Sequence, residues 1–153
     1  MFDLLGSWCL FEPMRTTTLI FCFTLFLSSC GQPDLSDPKV LDEILGGAVH
    51  HSDIQERVHG GDTLAFVSNL QNAFSGWSSK LYDNGQVREL TCYEDGKRNG
   101  LSVKWYENGR KNEEKNYRNG KLHGLTTRWW ENGQKWYEET YENGEKVEEK
   151  FYD

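Results

Sequence analysis

Proline, cysteine, positive charge and long apolar runs are all scarce in this 153-residue chain. Its three prolines are Pro13, Pro33 and Pro38, so every residue from Lys39 to Asp153 keeps its backbone N–H. Nothing in that stretch stops an uninterrupted hydrogen-bonded sheet. The longest apolar stretch, Leu19 to Leu27, has nine residues, whereas a bilayer-crossing helix needs about 20. Of the four cysteines only Cys92 lies beyond residue 30, which leaves no intrachain disulfide to a domain built from that part. A net charge of −7 speaks against nucleic acid and against simple electrostatic attachment to anionic lipid. There is no glycine-rich phosphate loop, and no serine or cysteine has a plausible base. The chain therefore reads as a non-enzyme without cofactor, long enough for one modest domain.

What the N-terminus does have is a leader pattern. Arg15 gives a positive start, Leu19 to Leu27 an apolar middle, and Ser28 and Ser29 lead into Cys30. This is a signal peptide over residues 14–29. Residues 1–13 are acidic through Asp3 and Glu12 and read as an upstream extension, with Met14 as the expected start. "LSSC" at 27–30 resembles a bacterial lipobox. The resemblance implies that Cys30 becomes the first mature residue and carries acyl chains such as palmitate, multiple chains anchoring firmly where one does not. Gln32 rather than aspartate stands two places after Cys30. By resemblance to enterobacterial sorting this implies the outer membrane, in a cell that has one.

Residues 30–39 hold the remaining two prolines and read as an extended tether. Asp37-Pro38 reads as an N-cap with proline at the first helical position. Val40, Leu41, Ile44 and Leu45 then share one face, and Gly46-Gly47 ends a helix at about 38–46. "IQERV" at 54–58 and "TLAFVS" at 63–68 flank "HGGD" as an irregular hairpin. Residues 40–75 thus comprise a short helix and this hairpin.

From Gly76 the chain repeats every 24 residues, over 76–99, 100–123 and 124–147. Gly85, Gly109 and Gly133 mark one turn of each unit, and Gly96, Gly120 and Gly144 the other; intervals between them alternate 11 and 13 residues. Asn-Gly and Asp-Gly tolerate the positive φ of tight hairpins. Each unit is therefore two antiparallel strands, and three units make an all-β meander of about six strands. Alternation puts Trp77, Leu101 and Leu125 on one face with Ser79, Val103, Thr127, Leu81, Trp105 and Trp129. Lys80, Lys104, Arg128, Tyr82, Tyr106 and Trp130 take the other. The closing "GEKVEEKFYD" is charged throughout and reads as an edge-protecting cap.

The unit "GLSVKWYENGRKNEEKNYRNGKLH" resembles the variant MORN repeat of bacteria. It is similar to the repeats of the YwqK-type family, whose members are labelled antitoxin components. The matching residues are Tyr106, Glu107, Asn108, Gly109, Glu113, Tyr117, Asn119, Gly120 and Lys121, and in the first unit Tyr82, Asn84, Gly85, Gln86, Glu89, Tyr93, Asp95, Gly96 and Lys97. The third unit departs at Tyr137, where the pattern has glutamate, and at Glu145, where it has lysine. Residues 53–75 resemble a decayed unit. The resemblance implies a fold of 24-residue β-hairpin units and an antitoxin-like, non-catalytic role.

His50, His51, Asp53, His59 and Asp62 are the one ligand-rich cluster, but their spacing matches no standard metal site; they read as polar connectors. His123 reads as a turn residue. The repeated glutamates lie on a solvated strand, unlike a catalytic pair. Trp129, Trp130, Trp136 and Tyr137 crowd the third unit, and Trp130, Tyr106, Tyr82, Trp136 and Tyr137 are the candidate binding residues, with Trp136 and Tyr137 expected on opposite faces. The expected function is a lipid-anchored cell-envelope repeat protein that binds another protein; cell-wall glycan held on aromatic rows is the alternative. For the anchor, Cys30→Ala is expected to leave the precursor unprocessed and unacylated, as read by mass spectrometry of the membrane fraction. A wild-type chain recovered soluble, unmodified and beginning at another residue would remove the anchor.

Overall fold

The computed structural model describes residues 32–68 and 70–153; the leader, the lipobox and Cys30 lie outside the described residues. Helix α1 (Pro38–Gly47) begins as expected, with the Asp37 carboxylate accepting from the Lys39 N–H at 2.9 Å. β1 (Val49–His50) and a 3₁₀ turn lead to the hairpin β2 (Ile54–His59) and β3 (Asp62–Val67). Then come β4 (Gly76–Leu81), β5 (Val87–Glu94), β6 (Lys97–Trp105), β7 (Lys111–Arg118), β8 (Lys121–Leu122), β9 (Gly124–Trp129), β10 (Lys135–Glu142) and β11 (Glu145–Phe151). These form one antiparallel meander in chain order, with β8 and β9 both on β7. The closing segment is its last strand. β1 adds in parallel beside β4, pairing Val49 with Ser78.

The two turns of each unit are chemically different. At Asp95-Gly96, Asn119-Gly120 and Asn143-Gly144 both residues have positive φ, as in a two-residue type I′ hairpin. At Asn84-Gly85, Asn108-Gly109 and Asn132-Gly133 only the glycine does. There the Tyr82 carbonyl accepts from Gly85 N–H at 2.9 Å and the strands rejoin through Tyr82 N–H to Gln86 O at 2.8 Å. Asparagine serves by its side chain, Asn84 Oδ1 accepting from Gln86 N–H at 2.9 Å. Asparagine was thus expected to supply positive φ in both turns, and does so only in the second. The longer, 13-residue interval from Gly96 to Gly109 spans β6, which carries two extra residues opposite β5.

One face of the sheet carries the core. Trp77, Leu90, Cys92, Leu101, Val103 and Trp105 are buried there beneath Leu41, Ile44 and Leu45 of α1. Leu35 joins them at 7% exposure, and Gln32 Nε2 donates to Asn116 Oδ1 at 2.8 Å. The expected extended tether is therefore packed onto the sheet over its described part, because Leu35 finds an apolar site beside α1. The helix reaches only the first two units. Leu125, aligned with buried Leu101, stays 46% exposed, and Trp129 is half-buried where Trp105 is buried. Cys92 is disulfide-bonded, which corrects the expectation of a domain without one.

Ala65, Phe74 and Tyr93 form a second small cluster where the β2–β3 hairpin meets the first unit. The Gly96 N–H donates to Phe74 O at 2.8 Å, and Ala65 N–H to Gly96 O at 2.8 Å. The next turns repeat the first tie: Gly120 N–H to Arg98 O and Gly144 N–H to Leu122 O, both 2.8 Å. A Cβ on Gly96 would lie 2.8 Å from Leu64 Cβ and 3.0 Å from Ala65 O, whereas one on Gly109 meets nothing within 4 Å. Both glycines have φ near +80°. Gly109→Ala is expected to cost about 1 kcal/mol from backbone strain alone, and Gly96→Ala about 3 kcal/mol or more because the hairpin must move. Thermal or denaturant melts of the two variants check this, and equal losses would contradict it.

Candidate functional site

On the face away from α1 the register draws one row across the sheet: Lys80, Glu89, Lys104, Glu113, Arg128, Tyr137, Phe151. Directly opposed residues of opposite charge attract, and the first five alternate in sign. Lys80 lies 3.1 Å from Glu89, Lys104 3.3 Å from Glu113 and Arg128 2.9 Å from Glu113. Lys115 adds a third cation to Glu113 at 2.8 Å. Burial acts to raise the Glu113 pKa. Hydrogen bonds from Lys115 and Arg128, with the charges of Lys115 and Lys104, outweigh it and bring the group from 4.5 to about 2.

At the third unit the ionic row turns aromatic. Tyr137 stands where Glu89 and Glu113 stand in the other units, and donates its hydroxyl to Glu139 at 2.7 Å and Glu149 at 2.9 Å. Those bonds raise its pKa to about 12. Trp130 stacks on Trp136 at 4.9 Å and 28°, Trp136 on Tyr137 at 5.3 Å and 20°, and Tyr137 meets Phe151 at 4.6 Å. Trp136 and Tyr137 were expected to point apart. They stack instead because the β9–β10 register shifts between Lys135 and Tyr137, and such a bulge re-aims a side chain.

Phe151 arrives by a second irregularity. Between β5 and β6, partners step from Tyr93–Arg98 to Thr91–Ser102, with two extra residues on β6. Between β10 and β11 they step from Tyr141–Lys146 to Thr140–Glu148, with one extra residue. A one-residue difference turns the following side chains over. Phe151, 24 residues after Thr127 and 48 after Val103, thereby leaves their face for the ionic one. Nothing in its sequence context announces this.

Tyr82 and Tyr106 are placed differently from the other candidates. Tyr82 donates its hydroxyl to Trp105 O at 2.7 Å and Tyr106 to Trp129 O at 2.8 Å, so each is tied to the following unit. Trp130 has no hydroxyl and is 52% exposed. The structure brings together Trp130, Trp136 and Tyr137, adds Phe151, and leaves Tyr82 and Tyr106 as inter-unit struts.

His50, His51, Asp53, His59 and Asp62 do not converge, and among the described residues no group of three His, Cys, Asp or Glu is arranged to hold a metal. His50 bonds Ser52, while Asp62 pairs with Lys97 at 2.8 Å. His123 Nδ1 accepts from the Asn143 N–H. A cleft of about 490 Å³ opens between the β2–β3 hairpin and the type I′ turns, lined by Asp62, Tyr93, Lys97, Arg98 and Lys121 among others. Sequence reading misses it because its walls come from two structural units. No helix among the described residues is long and apolar enough to cross a membrane. No family model, no curated protein and no solved structure matches the chain.

Glu113 supplies a pH test. Its folded pKa lies below the unfolded value, so its contribution is present above about 4.5 and is lost as pH falls toward about 2. The contribution at neutral pH is on the order of 3 kcal/mol. Glu113→Gln is expected to lower stability at pH 7 and to flatten its decline across that acid window, measured by urea melts at a series of pH values. A variant whose acid limb matched wild type would mean that the row does not stabilise the sheet.

Proposed function

We propose that this chain is a non-enzymatic, lipid-anchored protein of the cell envelope that presents the aromatic surface of its third unit to another protein. One observation carries the reading. Trp130 replaces Tyr82 and Tyr106, Trp136 replaces Arg88 and Asn112, and Tyr137 replaces Glu89 and Glu113. These departures, with the slipped Phe151, meet in one contiguous stack. A repeat needs its shared residues to fold; places where the rule is broken together point to a use beyond folding. Exposed aromatic anchors are also the residue types that dominate binding surfaces.

The MORN-like reading of the units rests on the sequence resemblance and is supported by their 24-residue hairpin geometry. The antitoxin label that comes with it names a kind of protein partner and no chemistry. The anchor rests on the lipobox. An acylated Cys30 has no thiol left for a disulfide, so an anchored mature chain would carry Cys92 reduced; thiol counting on the mature protein decides between these states. The second reading, glycan binding, is favoured by the open ring faces of Trp130 and Phe151, which are 52% and 64% exposed.

Trp130→Tyr restores the residue of the other units and is expected to leave melting unchanged. Trp130→Ala is expected to weaken partner capture by about 2 kcal/mol, near 30-fold, with little loss of stability. Trp105→Ala, which empties a buried site, should instead cost about 3–5 kcal/mol of stability. Crosslinking in cells followed by pull-down reads the first two, with a parallel peptidoglycan pull-down for the glycan reading. Capture of the same protein by Trp130→Ala as by wild type would leave the stack a packing feature only.

A further inference from the structure

Charge divides this sheet between its units. Residues 76–123 hold ten basic and seven acidic side chains, a net of +3, while residues 124–153 hold four basic and eight acidic, a net of −4. The aromatic stack lies in the acidic part, flanked by Glu131, Glu139 and Glu149.

The rings of this protein habitually carry cations of their own chain. Arg88 sits over Tyr82 at 5.7 Å, Arg98 over Tyr117 at 5.6 Å, Lys111 over Trp129 at 5.8 Å, Arg128 over Tyr137 at 5.5 Å and Lys150 over Tyr152 at 4.4 Å. A ring face attracts a guanidinium or ammonium through its quadrupole, indole most strongly. Trp130 has one face on Trp136, is 52% exposed, and among the described residues has no cation over it. Its place in the pattern is open on the outer side, beside exposed Glu131, which makes no ion pair among the described residues, whereas Glu139 and Glu149 are met by Lys146.

Resting on the reading that the third-unit surface binds a protein, we infer that the partner presents an arginine- or lysine-rich extended segment. One cation covers the outer face of Trp130, and a neighbouring one meets the Glu131 carboxylate. A pyranose ring would use the same aromatic face and could donate hydroxyls to carboxylates, but a neutral sugar would gain nothing from their net charge. A second copy of this chain would have to bring its basic units to the same place.

The test titrates the full chain, in a neutral detergent, with acetylated and amidated penta-arginine, with penta-glutamate and with a β-1,4-linked N-acetylglucosamine trimer, reading tryptophan fluorescence and heat. Penta-arginine is expected to bind and the other two not to, with affinity falling several-fold between 50 and 200 mM salt as screening grows. Trp130→Ala should weaken it about 5- to 30-fold and Trp130→Phe far less. Glu131→Gln should weaken it several-fold without touching the stack. Should Trp130→Ala misfold, the Phe and Gln variants still decide. Peptide binding indifferent to Trp130, Trp130-dependent binding of the trimer alone, or Trp130-dependent self-association of the wild type would each overturn the inference. Partner capture that needs Trp130 but ignores salt and Glu131 would overturn the basic segment while leaving the proposed function standing.

Discussion

Everything in this fold leans on a backbone tie that crosses from one unit to the one before it. The amide of each type I′ turn glycine reaches a carbonyl 22 residues upstream: Gly96 to Phe74, Gly120 to Arg98 and Gly144 to Leu122. The opposite ends of the strands are laced by Tyr82 and Tyr106, whose hydroxyls reach carbonyls 23 residues downstream. The sheet needs such lacing because its apolar core is shallow: α1 packs over the residues from Trp77 to Trp105, and beyond β6 the same face carries Glu114, Asn116 and Thr140. A backbone bond does not depend on which side chain stands there. The 24-residue interval is what must be kept, because a unit of another length would present its carbonyl to nothing. Nearest-neighbour coupling of this kind is what makes a repeat protein quasi-one-dimensional.

With the frame set by the backbone, side chains on the face away from α1 are free to differ, and the ionic row shows both uses of that freedom. In the first two units Glu89 and Glu113 are held by lysines and arginine. In the third, Tyr137 keeps the place but exchanges ion pairing for hydroxyl bonds to Glu139 and Glu149, and Arg128 lies over its ring. The row thus remains satisfied while changing from charge to π-surface. A sheet that needed this row only for stability would have no cause to change it where flanking rings change too.

What could be read from the sequence follows from what repeats. Turn glycines, the alternation of Trp77, Leu101 and Val103, and the capped helix at Asp37-Pro38 all rest on local rules that composition displays directly. Three things escaped. The reach of α1 depends on its length against strand spacing, so Leu125 and Trp129 look buried by alignment with Leu101 and Trp105 and are not. The bulge before Tyr137 and the single extra residue in β11 are one-residue events, invisible to a pattern of period two yet able to move Trp136 and Phe151 to a new face. The parallel strand β1 has only two residues, too few for any pattern to form. The candidate surface was therefore legible in its composition, through Trp130, Trp136 and Tyr137 in one unit, but not in its geometry.

The docked segment before α1 links this surface to the proposed anchor. Gln32 sits against Asn116, which lies in register with Leu101 on the α1-bearing face, and Leu35 is buried beside the helix. Cys30 precedes Gln32 by two residues, and two residues of chain span at most about 7 Å. Acyl chains on Cys30 would therefore hold the α1 side of the domain against the bilayer with almost no slack. The row from Lys80 to Phe151 and the exposed ring of Trp130 lie on the other side of the sheet. An anchor at that point leaves the aromatic surface pointing away from the lipid, open to an approaching protein. A long flexible tether would fix no orientation at all; with the proposed anchor, the same few residues that fill the core beside α1 would also decide which face a membrane could cover.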